Sequence, residues 1–242
     1  MRIHRIYTDQ ALEPDTEVTV GGKPAHYLSR VLRVSPGQSL VLFNGDGHDY
    51  AAEINSPGKN ELRIQVLSRL PSGRESPLKI TIAQAISRGE RMDLTLQKCT
   101  ELGVTGFQPL NTERVEVRIR PEKLQKRMEH WRQIVISACE QSGRSVIPVV
   151  SEPENLSQWL EREASAQRLV LAPGADTSLA GLTINGAVEV LIGPEGGLSE
   201  TELALVERSG VQPVSFGPRI LRTETAGAAA AAVLQALFGD LK

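Results

Sequence analysis

The stretch VEVLIGPEGGLSETEL, Val188–Leu203, decides the fold predicted for this chain. It begins with Val188–Ile192, a mostly aliphatic and β-branched run that is typical of a buried strand. The strand should end at Gly193-Pro194, because proline has no N–H to donate to a sheet ladder. Ser199 and Glu202 form a capping box, which predicts that a helix starts there. A glycine-containing loop between a strand and a helix is where open parallel sheets bind their ligands.

A second loop lies in FGPRILRTETAGAAAAAV, Phe216–Val233, and it also follows a predicted strand. If this loop is extended, Arg219 and Arg222 point to opposite sides of it. A guanidinium beside a ligand can stabilise negative charge that develops on a substrate oxygen. The alternative is a surface arginine paired with Glu224. The helix predicted over Ala226–Phe238 begins with small residues, which suit either tight packing on the sheet or a homodimer interface.

Strands and helices alternate from Leu78 onwards. This alternation predicts an α/β fold with a mostly parallel sheet and helices on both faces. Pro121 opens a long helix whose apolar residues recur at spacings of three and four. A strand over Ser145–Val150 and a helix over Leu156–Ala166 follow in the same pattern.

The first 70 residues have a different pattern of short alternating strands. Asn44–Gly47 is a strong hairpin signal between two of them, and His26–Val34 suits a short helix. This pattern predicts a small all-β barrel or sandwich. Residues 71–77 are rich in proline, serine and glycine and are the predicted linker. The predicted domains are therefore residues 1–70 and 78–242.

The net charge of −2 is unevenly distributed. Residues 71–150 carry 13 basic and 9 acidic side chains, whereas residues 151–242 carry 6 and 12. A basic middle segment suits a local contact with a polyanion, although solvated helix faces have the same composition. The two cysteines and four histidines lack metal-ligand spacing, and no apolar run reaches the roughly 20 residues of a membrane span. We expect a cytoplasmic protein with no metal site and no membrane contact.

The sequence and charge of the glycine loop limit the class of ligand that it could bind. GPEGG, Gly193–Gly197, is not followed by the lysine of a P-loop and lacks the GxGxxG pattern of dinucleotide sites. Glu195 places an anion in the loop, which would repel a phosphate. A neutral or cationic ligand such as S-adenosylmethionine fits better, although a tight turn without a ligand would explain the glycines equally well.

Taken together, these segments closely resemble the RsmE family of bacterial 16S ribosomal RNA (uridine-N3)-methyltransferases, which belongs to the SPOUT class. The resemblance covers nearly the whole chain in the family's order. The chain departs from the family at Leu198, where an aromatic residue is frequent, and at Phe216, where leucine is frequent. The resemblance rests on HYLSRVLRV (His26–Val34), RMDLTLQKCTELGV (Arg91–Val104), WRQIVISACEQSGRSVIP (Trp131–Pro148), LIGPEGGLSETE (Leu191–Glu202) and FGPRILRTETA (Phe216–Ala226).

This resemblance implies a SPOUT domain whose last segments thread through a loop as a trefoil knot, preceded by a PUA-like barrel that helps to bind RNA. It also implies a homodimer with sites at the interface, and S-adenosylmethionine as the cofactor. The implied cofactor-binding residues are Leu171, Ala172, Ile192, Gly193, Pro194, Glu195, Gly196, Gly197, Phe216, Gly217, Ile220, Leu221, Arg222 and Thr225.

The implied substrate is a uridine of 16S ribosomal RNA within the small ribosomal subunit. Uridine N3 must lose its proton before it can attack a methyl group. We expect Arg222 to stabilise the resulting charge on a uracil oxygen, and Glu224 or Glu195 to accept the proton. No metal is required. The predicted RNA-binding residues are His26, Arg30, Arg33, Arg88, Arg114, Arg118, Arg120 and Arg144.

Three alternatives remain at this point. A SPOUT enzyme could modify transfer RNA or another position of ribosomal RNA. A non-catalytic RNA-binding or ribosome-assembly factor would need only the barrel and the basic segment. A nucleotide-binding α/β enzyme is disfavoured by Glu195 and by the missing lysine.

Overall fold

A computed structural model of the chain describes residues 4–58, 61–71, 73–184 and 186–242. The contacts within the chain divide it into two compact units. The first unit comprises Met1–Glu75 with Cys139–Ile147, and the second comprises Ser76–Ala138 with Pro148–Lys242. The domain limits predicted from the sequence stay a prediction, and residue 72 of the predicted linker lies outside the described residues.

The first unit is built on a five-stranded sheet. Its strands are β1 (His4–Tyr7), β2 (Glu17–Gly21), β3 (Ser39–Phe43), β4 (Asp49–Pro57) and β5 (Glu61–Leu70). They pair in the order β1-β3-β4-β5-β2, and β1 with β3 is the parallel pair. The predicted hairpin is confirmed, because residues 44–47 join the antiparallel strands β3 and β4, with Gly45 and Gly47 at φ of 94° and 90°. Alternate residues of β2 and β5 face the core, so the predicted all-β architecture is also confirmed.

A short helical segment connects β2 to β3. It comprises α1 (Gly22–His26) and a π-helix at Tyr27–Leu32. The helix predicted from His26 is therefore present but begins earlier, at Gly22. It ends where Arg33 adopts a left-handed φ of 51°.

Polar contacts hold the segment Cys139–Ile147 in the first unit. The Arg144 guanidinium donates from Nε and Nη2 to Glu75 at 3.1 and 2.6 Å. The Tyr7 backbone N–H donates to Glu140 at 3.0 Å, and burial raises the pKa of that carboxyl. These contacts join residues that are far apart in the chain, so they could not be predicted from the sequence.

The strand predicted to begin at Ser145 is shorter in the structure and comprises only Val149–Val150. Ser145 Oγ donates to Asp49 at 2.5 Å, and the Val146 N–H donates to Glu75 at 3.3 Å. These residues therefore bind side chains of the first unit instead of pairing in a sheet.

The second unit contains a mostly parallel sheet covered by helices, which confirms the predicted fold class. The remaining elements are β6 (Lys79–Ala85), α2 (Glu90–Glu101), β7 (Gly106–Asn111), α3 (Pro121–Ser142), β8 (Val149–Val150), β9 (Glu154–Asn155), α4 (Leu156–Glu161), β10 (Gln167–Leu171), β11 (Ala187–Ile192), α5 (Glu200–Arg208), β12 (Gln212–Val214) and α6 (Thr223–Phe238). The sheet order is β12-β10-β11-β6-β7-β8, with β9 also paired to β7. Every described pairing in this sheet is parallel.

Two helices differ in length from their predicted bounds. Helix α4 ends at Glu161 rather than Ala166, because Arg162 leaves the helix and pairs with Glu154 at 2.8 Å. Helix α6 begins at Thr223 rather than Ala226, with Arg222 as its N-cap residue. Among the described residues, no helix is both long and apolar enough to cross a membrane.

Helix α6 packs against α2, β11 and β6, and it also contacts a 3-10 turn at Leu179–Gly181. That turn belongs to the connection between β10 and β11. Ser215 lies on the same connection, since its N–H donates to Thr177 O at 2.8 Å and its carbonyl accepts from Leu179 N at 3.1 Å. The segment after β12 thus runs along the β10–β11 connection before α6 returns to the sheet, which is the placement that the predicted knot requires.

A buried glutamine fixes the other end of α6. Gln235 is 0% exposed, accepts from Ser76 Oγ at 2.6 Å and donates to Gly103 O at 3.2 Å. We expect Gln235→Ala to lower the free energy of unfolding by about 2 kcal/mol, because it removes two hydrogen bonds that a fully buried side chain makes to half-buried partners. Urea unfolding followed by circular dichroism measures this change.

Gln125→Ala is the matched control, because Gln125 lies on the exposed face of α3. The control should change the free energy of unfolding by less than about 0.5 kcal/mol. Equal stability of the two variants would show that the Gln235 bonds do not hold α6 in place.

Candidate active site

The candidate site lies at the carboxyl edge of the parallel sheet. Strands β10, β11 and β12 are neighbours with the same direction, so the segments that follow them meet at one edge. The Ala172 N–H donates to Val214 O at 3.0 Å, which joins the ends of β10 and β12 directly. The structure therefore brings together the three segments that were predicted to bind the cofactor.

The glycine loop, residues 193–199, is a tight turn that leads into α5. The Gly197 N–H donates to Pro194 O at 2.9 Å, and Gly197 has a φ of 68°, which favours glycine. The predicted capping box is confirmed. Ser199 N–H donates to the Glu202 carboxylate at 2.9 Å, and Glu202 N–H donates to Ser199 Oγ at 3.1 Å.

The carboxylate of the glycine loop is neutralised from α2. Arg91 Nη1 lies 2.6 Å from Glu195 Oε1, and the hydrogen bond and charge of Glu195 raise the pKa of Arg91. Because this ion pair balances its charge, Glu195 does not by itself exclude a phosphate, and this corrects the prediction from the sequence. Its partner lies 104 residues away in the chain.

The connection between β7 and α3, residues 112–120, lies against the glycine loop. Arg114 Nη1 donates to Gly196 O at 3.0 Å and to Leu198 O at 3.3 Å. The Glu113 N–H donates to Glu202 at 2.8 Å. Arg114 was predicted to bind RNA, and the structure places its guanidinium on the backbone of the glycine loop.

The second loop, residues 216–222, is irregular rather than extended, so the predicted alternation of side chains does not apply. Arg219 and Arg222 are exposed, and Ile220 between them is 87% exposed. Within the described residues neither arginine forms an ion pair, so the alternative pairing of Arg222 with Glu224 is not observed. The described hydrogen bond of Glu224 comes from Thr223 Oγ1 at 3.3 Å.

Close packing brings the second loop beside the first. A Cβ on Gly227 would lie 3.2 Å from Ile192 Cδ1 and 3.4 Å from Cys99 Sγ. Thr223, in the first turn of α6, is buried and lies 3.2 Å from Ser87 through their hydroxyl oxygens. The glycine thus allows the start of α6 to approach the end of β11.

The predicted cofactor residues differ in exposure. Ile192 and Pro194 are buried and form the floor of the edge. Leu171, Ala172, Gly193, Phe216 and Leu221 are half-buried. The exposed members are Glu195, Gly196, Gly197, Gly217, Ile220, Arg222 and Thr225.

The predicted RNA-binding residues fall into three groups. The first group is exposed and comprises His26, Arg30, Arg33, Arg88, Arg118 and Arg120. Arg114 contacts the glycine loop. Arg144 is 3% exposed and bonded to Glu75, so its side chain is not available to RNA and we withdraw that prediction.

The described residues contain no group of three histidine, cysteine or acidic side chains that would hold a metal ion. Burial raises the pKa of the Cys99 thiol to about 12, and burial is also the largest cause that raises Cys139 to a pKa of about 12. Neither thiol is a nucleophile at neutral pH.

Two family models match the chain. A model of the RNA methyltransferase PUA domain matches residues 20–67, and a model of the RNA methyltransferase domain matches residues 74–235. Fold and site together define the class as an RNA methyltransferase with a PUA domain.

Solved structures agree over the full length. A methyltransferase from Legionella pneumophila with bound S-adenosylmethionine is 41% identical, with a TM-score of 0.96 and all of both chains covered. Ribosomal RNA small subunit methyltransferase E from Neisseria gonorrhoeae, bound to S-adenosylmethionine, is 38% identical, with a TM-score of 0.93 and all of both chains covered. A relative of the same name from Buchnera aphidicola subsp. Schizaphis graminum is 37% identical over 99% of this chain and 98% of its own length. The chain belongs to the ribosomal RNA small subunit methyltransferase E family, which confirms the resemblance inferred from its sequence.

Proposed function

We propose that this chain transfers a methyl group from S-adenosylmethionine to N3 of a specific uridine in 16S ribosomal RNA, within the small ribosomal subunit. Membership of the family supports methylation of small-subunit ribosomal RNA. One observation carries the choice of site. The Arg222 guanidinium is exposed, and it follows the loop beside a glycine loop whose own carboxylate is already neutralised by Arg91.

The loops fit the cofactor in shape and charge. Among the described residues, and apart from the glycine itself and its two chain neighbours, no heavy atom lies within 4 Å of a Cβ position on Gly197 or Gly217. Bare backbone can therefore approach a ligand closely at both positions. The ion pair of Arg91 with Glu195 leaves the glycine loop close to neutral, so neither the sulfonium nor the carboxylate of the cofactor is repelled. When bound there, S-adenosylmethionine would supply an electrophilic methyl group, and breaking the bond between that carbon and the sulfonium would leave a neutral thioether, S-adenosylhomocysteine, as the leaving group.

The chain's own residues would supply charge stabilisation and a proton acceptor. The proton on uridine N3 must leave so that the nitrogen lone pair can attack the methyl carbon. The Arg222 guanidinium would donate to the uracil oxygen on which negative charge collects. Glu224 is the better of the two candidate bases, because Glu195 already accepts from Arg91 at 2.6 Å. We therefore propose that Glu224 accepts the proton from uridine N3. Glu195 instead helps to fix the glycine loop through its bond to Arg91.

We propose further that exposed basic residues on both units contact RNA phosphates. On the first unit these are His26, Arg30 and Arg33. On the second unit they are Arg88, Arg118 and Arg120. A homodimer is part of the same proposal, since the small residues of α6 would allow a second copy to pack closely beside the site.

Transfer from labelled S-adenosylmethionine tests the proposal. Purified protein is incubated with unmethylated small-subunit particles or free 16S ribosomal RNA, and the RNA is digested to nucleosides. We expect one labelled product, 3-methyluridine, which mass spectrometry identifies.

Other products would point to the alternatives. Label in transfer RNA, or in another nucleoside of ribosomal RNA, would place the chain elsewhere in its class. If isothermal titration showed no binding of S-adenosylmethionine, the proposed enzymatic function would be contradicted. A non-catalytic ribosome-assembly factor would then be favoured.

A further inference from the structure

We infer that Arg114 is a positioning residue that holds the glycine loop in shape for the cofactor, rather than a contact to RNA. The inference rests on the proposed function, because it adds a residue to the site that would bind S-adenosylmethionine. Its charge alone groups Arg114 with the RNA-binding arginines, whereas its contacts separate it from them.

The Arg114 side chain lies against the backbone of the glycine loop. Its Nη1 donates to Gly196 O at 3.0 Å and to Leu198 O at 3.3 Å. A Cβ on Gly196 would lie 3.7 Å from both Cβ and Cδ of Arg114, which is ordinary van der Waals contact. One guanidinium thus bonds the carbonyls on either side of Gly197. It fixes the direction of the peptide groups that the cofactor would meet.

A second contact joins the same two segments independently of Arg114. Glu202 is 5% exposed, and its Oε2 caps α5 by accepting from Ser199 N at 2.9 Å. Its Oε1 accepts from Glu113 N at 2.8 Å. Because Glu113 precedes Arg114 in the chain, the backbone bond brings the arginine to the glycine loop. The capping carboxylate of α5 therefore serves both segments.

A second arginine also holds the glycine loop. Arg91 on α2 bonds the Glu195 side chain at 2.6 Å, so two arginines from different elements fix consecutive residues of one turn. The remaining arginines of residues 112–120 are different. Arg118 and Arg120 are exposed, and within the described residues neither forms an ion pair. They keep the role proposed for RNA, and Arg114 does not share it.

Steady-state kinetics of Arg114→Ala and of the matched control Arg118→Ala separate the two roles. We expect Arg114→Ala to raise KM and Kd for S-adenosylmethionine about three- to tenfold, since it removes two charge-assisted hydrogen bonds at an exposed position. The KM for small-subunit particles should not change. Arg118→Ala should show the reverse, with weaker RNA binding and an unchanged Kd for the cofactor.

Arg114→Lys separates a specific loss of cofactor affinity from a general loss of folding. A lysine ammonium retains the charge and can still donate to one carbonyl, so we expect part of the cofactor affinity to return. The thermal midpoint of the ligand-free protein should be the same for wild type and Arg114→Lys. The expected order of Kd for S-adenosylmethionine is wild type, then lysine, then alanine.

Two results would overturn the inference. One is an Arg114→Ala variant with wild-type Kd for S-adenosylmethionine whose RNA binding has lost about one unit of salt dependence, as removal of a phosphate contact predicts. The other is a wild-type protein that binds no S-adenosylmethionine in isothermal titration. That second result would overturn the proposed function as well, whereas the first leaves it intact.

Discussion

Arg222→Ala is expected to slow methyl transfer by about two to three orders of magnitude, the usual effect of removing a group that stabilises transition-state charge. The side chain is exposed and forms no ion pair among the described residues, so its loss leaves no buried charge behind. The affinity for S-adenosylmethionine should change much less than the rate. Single-turnover transfer to saturating small-subunit particles measures the rate constant, and isothermal titration measures the affinity.

Arg219→Ala is the control for that experiment. Arg219 is exposed in the same loop, without an ion pair in the described part of the chain, and carries the same charge. If loss of positive charge near the RNA were sufficient, both variants would slow the reaction equally. A wild-type rate in Arg222→Ala would exclude this arginine as the group that faces the uracil oxygen.

Arg144→Ala is expected to destabilise the first unit by about 3 kcal/mol, the lower end of the cost of breaking a buried ion pair. The Arg144 side chain is 4% exposed, and the substitution leaves the carboxylate of Glu75, which is 28% exposed, without its ion-pair partner. The Val146 N–H still donates to that carboxylate. The carbonyl of Arg144 also accepts from Arg5 Nη2 at 2.9 Å, a bond that alanine retains. Hydrogen exchange measured separately over β1–β5 and β6–β12 should show faster exchange in the first unit.

Arg118→Ala serves as the matched exposed arginine here as well. It should leave hydrogen exchange unchanged and weaken RNA binding. Arg144→Ala should instead lower the stability of the first unit. An Arg144→Ala protein of wild-type stability with weakened RNA binding would restore the role originally predicted from the sequence.

The features that could be predicted from sequence are those decided by neighbouring residues. Ser199 and Glu202 are three positions apart, and their capping box forms in the structure as expected. Pro121 likewise marks the first residue of α3, because a proline at this position loses no helical hydrogen bond. The fold class followed from such local signals, repeated along the chain.

The features that sequence reasoning missed depend on pairs of distant residues. Glu195 pairs with Arg91, which is 104 residues away in the sequence, and Arg144 pairs with Glu75, which is 69 residues away. A charged side chain has the same letter in the sequence whether it is paired and buried or free in solvent. The charge of Arg114 therefore suggested RNA, and only its contacts with two carbonyls indicate a different role.

The parallel pairing of β6 with β11 has a consequence for the order of events in folding. Lys79 lies opposite Ala187, and α6 packs on α2, so both loops of the site depend on contacts between segments far apart in the chain. Such contacts form slowly, because a long stretch of chain must first be closed into a loop. Partly folded molecules would therefore contain helices and strands but would not bind S-adenosylmethionine. S-adenosylmethionine would then act as a selective ligand for molecules that have completed their folding, and would protect them against unfolding by mass action.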